Sequence, residues 1–191
     1  MGAPAWLWVV IFVLLALAVL ALFNRMVRYR NRVREAWSGI DVQLKRRHNL
    51  VPRLVEAVKA YAAHERAVLE EVTRVRSETE AARDFGETEA SEERLSRSLR
   101  PLLALVEAYP DLKANQSFLN LQQELVETED MLQMARRYYN GSVRDFNTLI
   151  EMFPGNIVAG LFHFEPRDFF EIETATERLA PQVSLAMGQG E

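Results

Sequence analysis

AWLWVVIFVLLALAVLALFNRMVRYRNRVR, which occupies residues 5–34, consists of an apolar part followed by a basic part. Residues 5–23 contain no charged residue, no proline and no glycine. Nineteen helical residues extend roughly 28 Å, which is close to the ~30 Å hydrocarbon core of a bilayer. The stretch therefore predicts a membrane-spanning helix, and we assign residues 1–24 as a transmembrane anchor.

Two other interpretations of the apolar stretch fit less well. A cleaved signal peptide carries basic residues before its apolar part, and no Lys or Arg precedes Arg25 in this chain. A buried core helix of this length normally shows a polar face, and none is present here.

Basic residues on the C-terminal side of the anchor predict its orientation. Lys and Arg beside a membrane helix are retained on the cytoplasmic side, and tryptophan rings favour the membrane interface. We therefore expect a single-pass protein of the inner (plasma) membrane, with the N-terminus outside and the C-terminal domain in the cytoplasm. The residues predicted at the membrane interface are Trp6, Trp8, Arg25, Arg28, Arg30, Arg32 and Arg34. The arginines act either as topology signals alone or as a collar that attracts anionic lipid by roughly 1 kcal/mol per residue.

Composition excludes several classes of function for the rest of the chain. The absence of cysteine excludes disulfides and thiolate metal sites. After Arg34 the chain carries 18 basic and 27 acidic residues, whereas a nucleic-acid-binding domain normally shows a basic surface. We therefore expect the lipid bilayer as a partner and no nucleic acid.

Apolar residues spaced three and four apart follow the anchor and predict a long helical seam. The pattern is typical of a coiled coil and persists for about six heptads. Two heptad positions hold Arg47 and Glu65, and Pro52 predicts a kink or a short break near residues 48–51. The apolar positions are Val33, Trp37, Ile40, Leu44, Val51, Leu54, Val58, Tyr61, Val68, Val72 and Val75.

Two further helices are predicted after an acidic loop at residues 77–93. Ser91 is the expected N-cap of a helix over residues 92–108, which Pro101 bends. A third helix begins near Ser117, with Asn115 or Ser117 as its cap, and ends before residues 153–155 (FPG). Long helices with short connections pack as antiparallel bundles. We therefore predict an all-α fold, in which a helical bundle over residues 25–185 follows the anchor and residues 186–191 form a disordered tail.

No arrangement of side chains in the sequence predicts catalysis. His64 and Glu65 begin like a zinc-protease motif, but position 68 is Val where the second ligand would stand. No Glu-x-x-His pair, phosphate-binding loop or facing pair of carboxylates is present. His163, between two phenylalanines, is interpreted as a packed or capping residue. We expect no enzyme activity, cofactor, metal or small-molecule substrate.

Surfaces for self-association are predicted at two places. The seam closest to the bilayer is expected to lie beyond the reach of other helices of the same chain, so a second copy would cover it. Five of the ten phenylalanines lie between residues 153 and 170, where they either close the end of the bundle or form an exposed patch for a partner or the membrane. The predicted contact residues are Val33, Trp37, Ile40, Leu44, Phe162, Phe164, Phe169 and Phe170.

Three blocks of this sequence resemble the LemA family of bacterial membrane proteins. The blocks are residues 36–65 (AWSGIDVQLKRRHNLVPRLVEAVKAYAAHE), 107–130 (EAYPDLKANQSFLNLQQELVETED) and 136–171 (RRYYNGSVRDFNTLIEMFPGNIVAGLFHFEPRDFFE). The resemblance implies an N-terminal membrane helix, a cytoplasmic helical bundle and no enzyme activity. It also implies an association with magnetosome membranes, with membrane proteases of the HtpX kind or with signalling.

The expected function is that of a non-enzymatic membrane-anchored scaffold, which forms homo-oligomers and organises a membrane patch or a membrane-protein assembly. The alternative is an adaptor or regulator of an HtpX-like membrane protease or of envelope stress signalling.

Overall fold

The computed structural model describes residues 4–171, and the tail predicted at residues 186–191 lies outside them. Within the described residues the chain forms six helices and no strand, which confirms the all-α prediction. The helices are α1 (Ala5–Lys59), α2 (Arg66–Ala81), α3 (Phe85–Ala108), α4 (Pro110–Lys113), α5 (Gln116–Glu151) and α6 (Gly155–Leu161).

The described chain divides into two compact units. Unit 1 comprises the residues up to Leu50 together with Gln122–Phe170, and unit 2 comprises Val51–Leu121 together with Glu171. Both long helices, α1 and α5, contribute residues to each unit.

Helix α1 contains the predicted anchor and continues far beyond it. From Trp6 onward it includes a stretch long and apolar enough to cross a membrane, and no part of that stretch is buried. A kink or a short break was the prediction near Pro52, and the break is wrong, because α1 passes through this residue to Lys59. Proline removes one backbone hydrogen bond, and full burial of the neighbouring Val51 and Leu54 outweighs that loss.

The seam that follows Pro52 is instead interrupted at residues 60–65, between α1 and α2. The amides of Tyr61 and Ala62 both donate to the carbonyl oxygen of Val58, which closes the end of α1. Asn115 Nδ2 donates to Tyr61 Oη at 3.0 Å and fixes this turn within unit 2. The only sequence signal for the break is Glu65, the polar residue at a heptad position, which lies at the N-cap of α2.

The N-cap of α3 is Asp84, so the prediction of Ser91 is wrong. Asp84 Oδ1 accepts from the Glu87 amide at 2.7 Å, and Glu87 Oε2 accepts from the Arg83 amide at 3.1 Å. Ser91 is buried inside α3, where its hydroxyl donates to the carbonyl oxygen of Thr88. A serine inside a helix satisfies its hydroxyl in this way, and the carboxylate upstream offers the stronger acceptor for the first-turn amides.

Asn115 caps α5, as predicted, because its Oδ1 accepts from the Phe118 amide at 3.1 Å. At the other end α5 stops at Glu151, just before the predicted stop. Unit 2 also contains α3 packed against α2, with buried Val72, Leu95 and Leu102 on the facing sides.

Helices α1 and α5 run antiparallel within unit 1. Arg47 of α1 pairs with Glu129 of α5. Ten residues closer to the anchor, Trp37 contacts Tyr139, which lies ten residues further along α5, with ring centroids 5.5 Å apart. This antiparallel order buries Val33, Ile40 and Leu44 inside unit 1. The expectation that the seam from Val33 to Leu44 lies beyond the reach of other helices of the chain is therefore wrong, since Trp37 too has a partner on α5. Self-association itself stays a prediction.

Two asparagines of α5 hold the extended segment that follows α6. Asn140 Nδ2 donates to the Phe170 carbonyl oxygen at 3.1 Å, and Asn140 Oδ1 accepts from the Phe170 amide at 2.9 Å. Asn147 makes the same pair of bonds with Arg167, both at 2.9 Å. Through these bonds Phe170 becomes fully buried, with its ring 5.3 Å from that of Trp37.

His163 occupies a position that normally favours glycine. Its φ is 55°, while the Phe164 amide donates to the Ala159 carbonyl oxygen at 2.9 Å, the bond of a Schellman motif at the end of α6. The side chain itself is exposed, so of the two predicted roles, packed or capping, His163 has the capping role.

Replacing His163 by glycine is expected to raise the free energy of unfolding by about 0.5–1 kcal/mol. Glycine removes the steric cost of the left-handed conformation, and its larger unfolded-state entropy offsets part of that gain. Urea unfolding of the full-length protein in detergent, followed by circular dichroism, measures the change. Glu165→Gly is the control, because Glu165 is not among the residues with positive φ, and equal stabilisation by both variants would contradict the assignment.

Candidate functional site at the membrane-proximal end of unit 1

Gly155, the first residue of α6, permits a close approach of three chain segments next to the anchor. It is buried, and a Cβ built on it would lie 2.2 Å from the Leu149 carbonyl oxygen and 3.4 Å from Met26 Cε. No real Cβ tolerates the first of these distances, so only glycine lets α6 lie against α5 at this point. The sequence pattern marked Gly155 only as part of a helix stop.

Aromatic rings from α1, α5 and the C-terminal segment meet beside α6. The ring of Phe23 lies 4.8 Å from that of Phe162 and 5.8 Å from that of Phe164. Phe164 also lies 6.4 Å from Phe146, and the Arg30 guanidinium carbon lies 5.3 Å from its ring centroid. Phe164 is half-buried between Phe23 and Phe146, as expected of a residue that closes this end of the bundle, whereas Phe170 is buried further along unit 1, against Trp37.

A second set of apolar side chains at this end faces outward, and we name it the apolar rim. It consists of Met152, Phe153, Ile157, Leu161 and Phe162. The exposed fractions reach 78% for Phe153 and 69% for Leu161. Exposed apolar side chains grouped in this way are typical of an interaction site for a protein or a membrane. Phe169, 44% exposed, lies in the extended segment and is not part of the rim.

The five arginines predicted at the interface have different environments. Arg25 and Arg32 both lie over the ring of Tyr29, with guanidinium carbons 5.7 Å and 5.1 Å from its centroid. Arg30 is partly buried on Phe164, while Arg28 and Arg34 are exposed. At the far end of the anchor Trp6 and Trp8 are exposed, as is most of the apolar stretch between them and the arginines.

A cavity of about 410 Å³ lies between the arginine end of the anchor and the end of α5. Its polar lining consists of two guanidiniums, one carboxylate and two hydroxyls, and its apolar lining includes residues of the anchor, of the apolar rim and of the end of α5. The residues that matter for its chemistry are Leu22, Arg25, Tyr29, Arg144, Asp145 and Phe153. This arrangement can bind an anion next to an apolar chain. Within residues 4–171 no group of three or more His, Asp or Glu side chains could hold a metal ion.

A further exposed apolar surface lies along α5, and we name it the α5 face. Its residues are Met131, Met134 and Tyr138, which are 51%, 59% and 55% exposed. They follow the three-and-four spacing of a helix seam. The sequence carried a signal for it, because each member stands directly before a residue of the inward seam (Leu132, Ala135 and Tyr139). When two neighbouring residues are both apolar and the pair recurs at helical spacing, the helix has two apolar faces. Only the face that packs inside unit 1 was predicted from the sequence.

Comparison with known proteins identifies relatives over most of the chain. The sequence pattern of the LemA family matches residues 36–185. Magnetosome protein MamQ 2 of Paramagnetospirillum magneticum is 24% identical, over 84% of this chain and 70% of the relative, and magnetosome protein MamQ of Magnetospirillum gryphiswaldense has the same identity and coverage. Protein LemA of Metamycoplasma hominis is 30% identical, over 71% of this chain and 63% of that protein.

Proposed function

The chain belongs to the LemA family, and on that premise we propose that it is a non-enzymatic membrane-anchored scaffold. In this proposal copies of the chain self-associate and organise a membrane patch or a membrane-protein assembly. The names of the relatives, LemA and magnetosome protein MamQ, are not enzyme names, and this supports a non-enzymatic role. The proposed setting is the inner membrane, with the bundle in the cytoplasm, because the arginines follow the anchor directly.

The α5 face is the observation that carries self-association. Met131, Met134 and Tyr138 lie on one side of α5 and offer a row of apolar side chains that nothing in unit 1 covers. Methionine side chains are flexible and polarizable, so they adapt well to a facing surface. Of the seam residues predicted for this role, Val33, Ile40 and Leu44 are buried inside unit 1 and Trp37 is half-buried, so their use in an interface would require opening that unit.

Anchoring in one bilayer favours a symmetric pair. Two copies that span the same membrane are related by a two-fold axis along the bilayer normal, so the same patch of each copy faces the other. Helix α5 runs antiparallel to α1 in unit 1, so it also follows the bilayer normal. The α5 helices of two copies related by this axis would therefore face each other in parallel. The central residue, Met134, would then lie opposite its counterpart, as a seam residue does in a parallel coiled coil.

Single cysteines test this arrangement directly, because the chain contains none of its own. In membranes that contain full-length Met134→Cys, an oxidant is expected to produce a disulfide-linked dimer, since facing Cβ atoms in such a seam lie close enough to be bridged. Ser38→Cys is the matched control, because Ser38 is an exposed polar residue of α1 in the same unit. Dimer yields that are equally low for both variants would contradict the proposal.

The alternative function, as an adaptor of a membrane protease or of envelope stress signalling, uses the same surface. An exposed apolar row at helical spacing fits an amphipathic helix of a partner as well as a second copy. To test this alternative, the Met134→Cys protein is treated with a thiol-to-amine crosslinker, and a product whose mass is not that of a dimer, absent from Ser38→Cys, would indicate a partner protein.

A further inference from the structure

The cavity described above lies at the depth where a lipid headgroup begins. Its wall includes Leu22, which belongs to the uncharged stretch of the anchor, and Arg25, the first charged residue after it. In a membrane-spanning helix this change from apolar to charged residues marks the boundary between hydrocarbon and headgroups. The cavity therefore opens at the level of the lipid phosphates.

The polar lining suits a phosphodiester. Arg25 and Arg144 supply two guanidiniums, whose planar forks bind phosphate oxygens through paired hydrogen bonds. Within the described residues neither arginine forms an ion pair with a carboxylate. Asp145 is the one carboxylate of the lining, so the cavity keeps a net positive charge.

The apolar lining suits an acyl chain. Leu22 and Phe153 line the same cavity as the arginines, and Phe153 is the most exposed member of the apolar rim. The rim continues from the membrane-spanning helix through the contact of Phe23 with Phe162. Because this apolar surface is continuous with a membrane helix, we expect the bilayer to cover it.

We propose that this cavity is a specific binding site for an anionic phospholipid. The phosphate lies between Arg25 and Arg144, and one acyl chain lies along Leu22 and Phe153. Tyr29 carries the Arg25 guanidinium on its ring and thereby positions it at the cavity. A zwitterionic headgroup binds more weakly, because its ammonium group meets the two guanidiniums.

Native mass spectrometry of the full-length protein in mild detergent tests the site with phosphatidylglycerol as the probe. Arg144→Gln is expected to lower the affinity of the first bound lipid about tenfold, the effect of one charge-assisted contact. Arg137→Gln is the matched control, because Arg137 is an exposed arginine two turns earlier on α5 and does not line the cavity. Circular dichroism checks that both variants remain folded.

Three further measurements separate the possible outcomes. Phosphatidylcholine keeps the phosphate but adds an ammonium group, which the two guanidiniums repel, so it is expected to bind about tenfold more weakly than phosphatidylglycerol. Millimolar inorganic phosphate is expected to displace little lipid, and full displacement would show a phosphate site instead of a lipid site. Phe153→Ser is expected to weaken binding of the lipid. Equal losses of lipid affinity in Arg144→Gln and Arg137→Gln would overturn the proposal, because they would show only a general attraction between arginines and anionic lipid.

Discussion

Gly155→Ala is expected to lower the free energy of unfolding by about 3 kcal/mol, at the upper end of the usual cost of overpacking. The new methyl group would lie 2.2 Å from the Leu149 carbonyl oxygen. That oxygen belongs to the backbone of α5, so it cannot move aside as a flexible side chain would. Helix α6 must therefore shift away from α5, which opens the contacts around Met26 and the aromatic cluster.

Gly160→Ala is the matched control for this prediction. Both glycines belong to the seven-residue helix α6, and a Cβ at Gly160 meets nothing within 4 Å. Alanine there is expected to stabilise the helix by up to about 1 kcal/mol, the difference in intrinsic helix propensity. Urea unfolding of each full-length variant in detergent measures both effects. If the two substitutions change stability in the same direction, the close approach at Gly155 is refuted.

Glu129→Ala is expected to cost about 3 kcal/mol, because it removes the carboxylate beside a buried guanidinium. Arg47 Nε lies 2.9 Å from Glu129 Oε1, and the Arg47 side chain is 2% exposed while that of Glu129 is 30% exposed. Removing one partner of a buried ion pair is strongly destabilising, because the charge that remains buried loses its compensation.

Because Arg47 and Glu129 differ in exposure, replacing Arg47 is expected to change the free energy of unfolding by a different amount than replacing Glu129. Arg47→Met leaves Glu129, which water can reach, and puts an apolar chain in place of the guanidinium, so it is expected to cost less than Glu129→Ala. Asp41→Ala is the control, because the pair of Asp41 with Lys45 is exposed and worth at most about 0.5 kcal/mol. Thermal unfolding of the four proteins ranks them, and equal losses for Glu129→Ala and Asp41→Ala would contradict the structural role of Arg47.

The sequence predicts a helix boundary correctly where residues close together in the chain decide it. Asn115 was predicted as a cap of α5 because an amide side chain before a helical run accepts a first-turn hydrogen bond. Asp84 was missed because the acidic loop contains several acceptors, and only the packing of α3 on α2 decides which one begins the helix. Pro52 gave a strong local signal for a break, and burial on both sides of it prevailed.

The candidate site could be predicted only in part. The arginines and the cluster of phenylalanines were identified from composition, yet their roles depend on contacts between distant residues. Phe170 is buried because Asn140, thirty positions earlier, binds its backbone, and no periodicity encodes such a bond. Phe162 and Phe164 differ by two positions and contact the same ring of Phe23, yet Phe162 remains exposed while Phe164 is half-buried.

The sequence by itself determined the anchor, the helical class and the apolar seam. These properties follow from the composition and spacing of residues close together in the chain, and any helix of this sequence would show them. Only the tertiary structure decided what covers the seam, why Gly155 must be glycine, and which apolar residues remain outside. Those outcomes depend on which surfaces meet when α1 and α5 run antiparallel, and the free energy of such contacts comes from residues about a hundred positions apart.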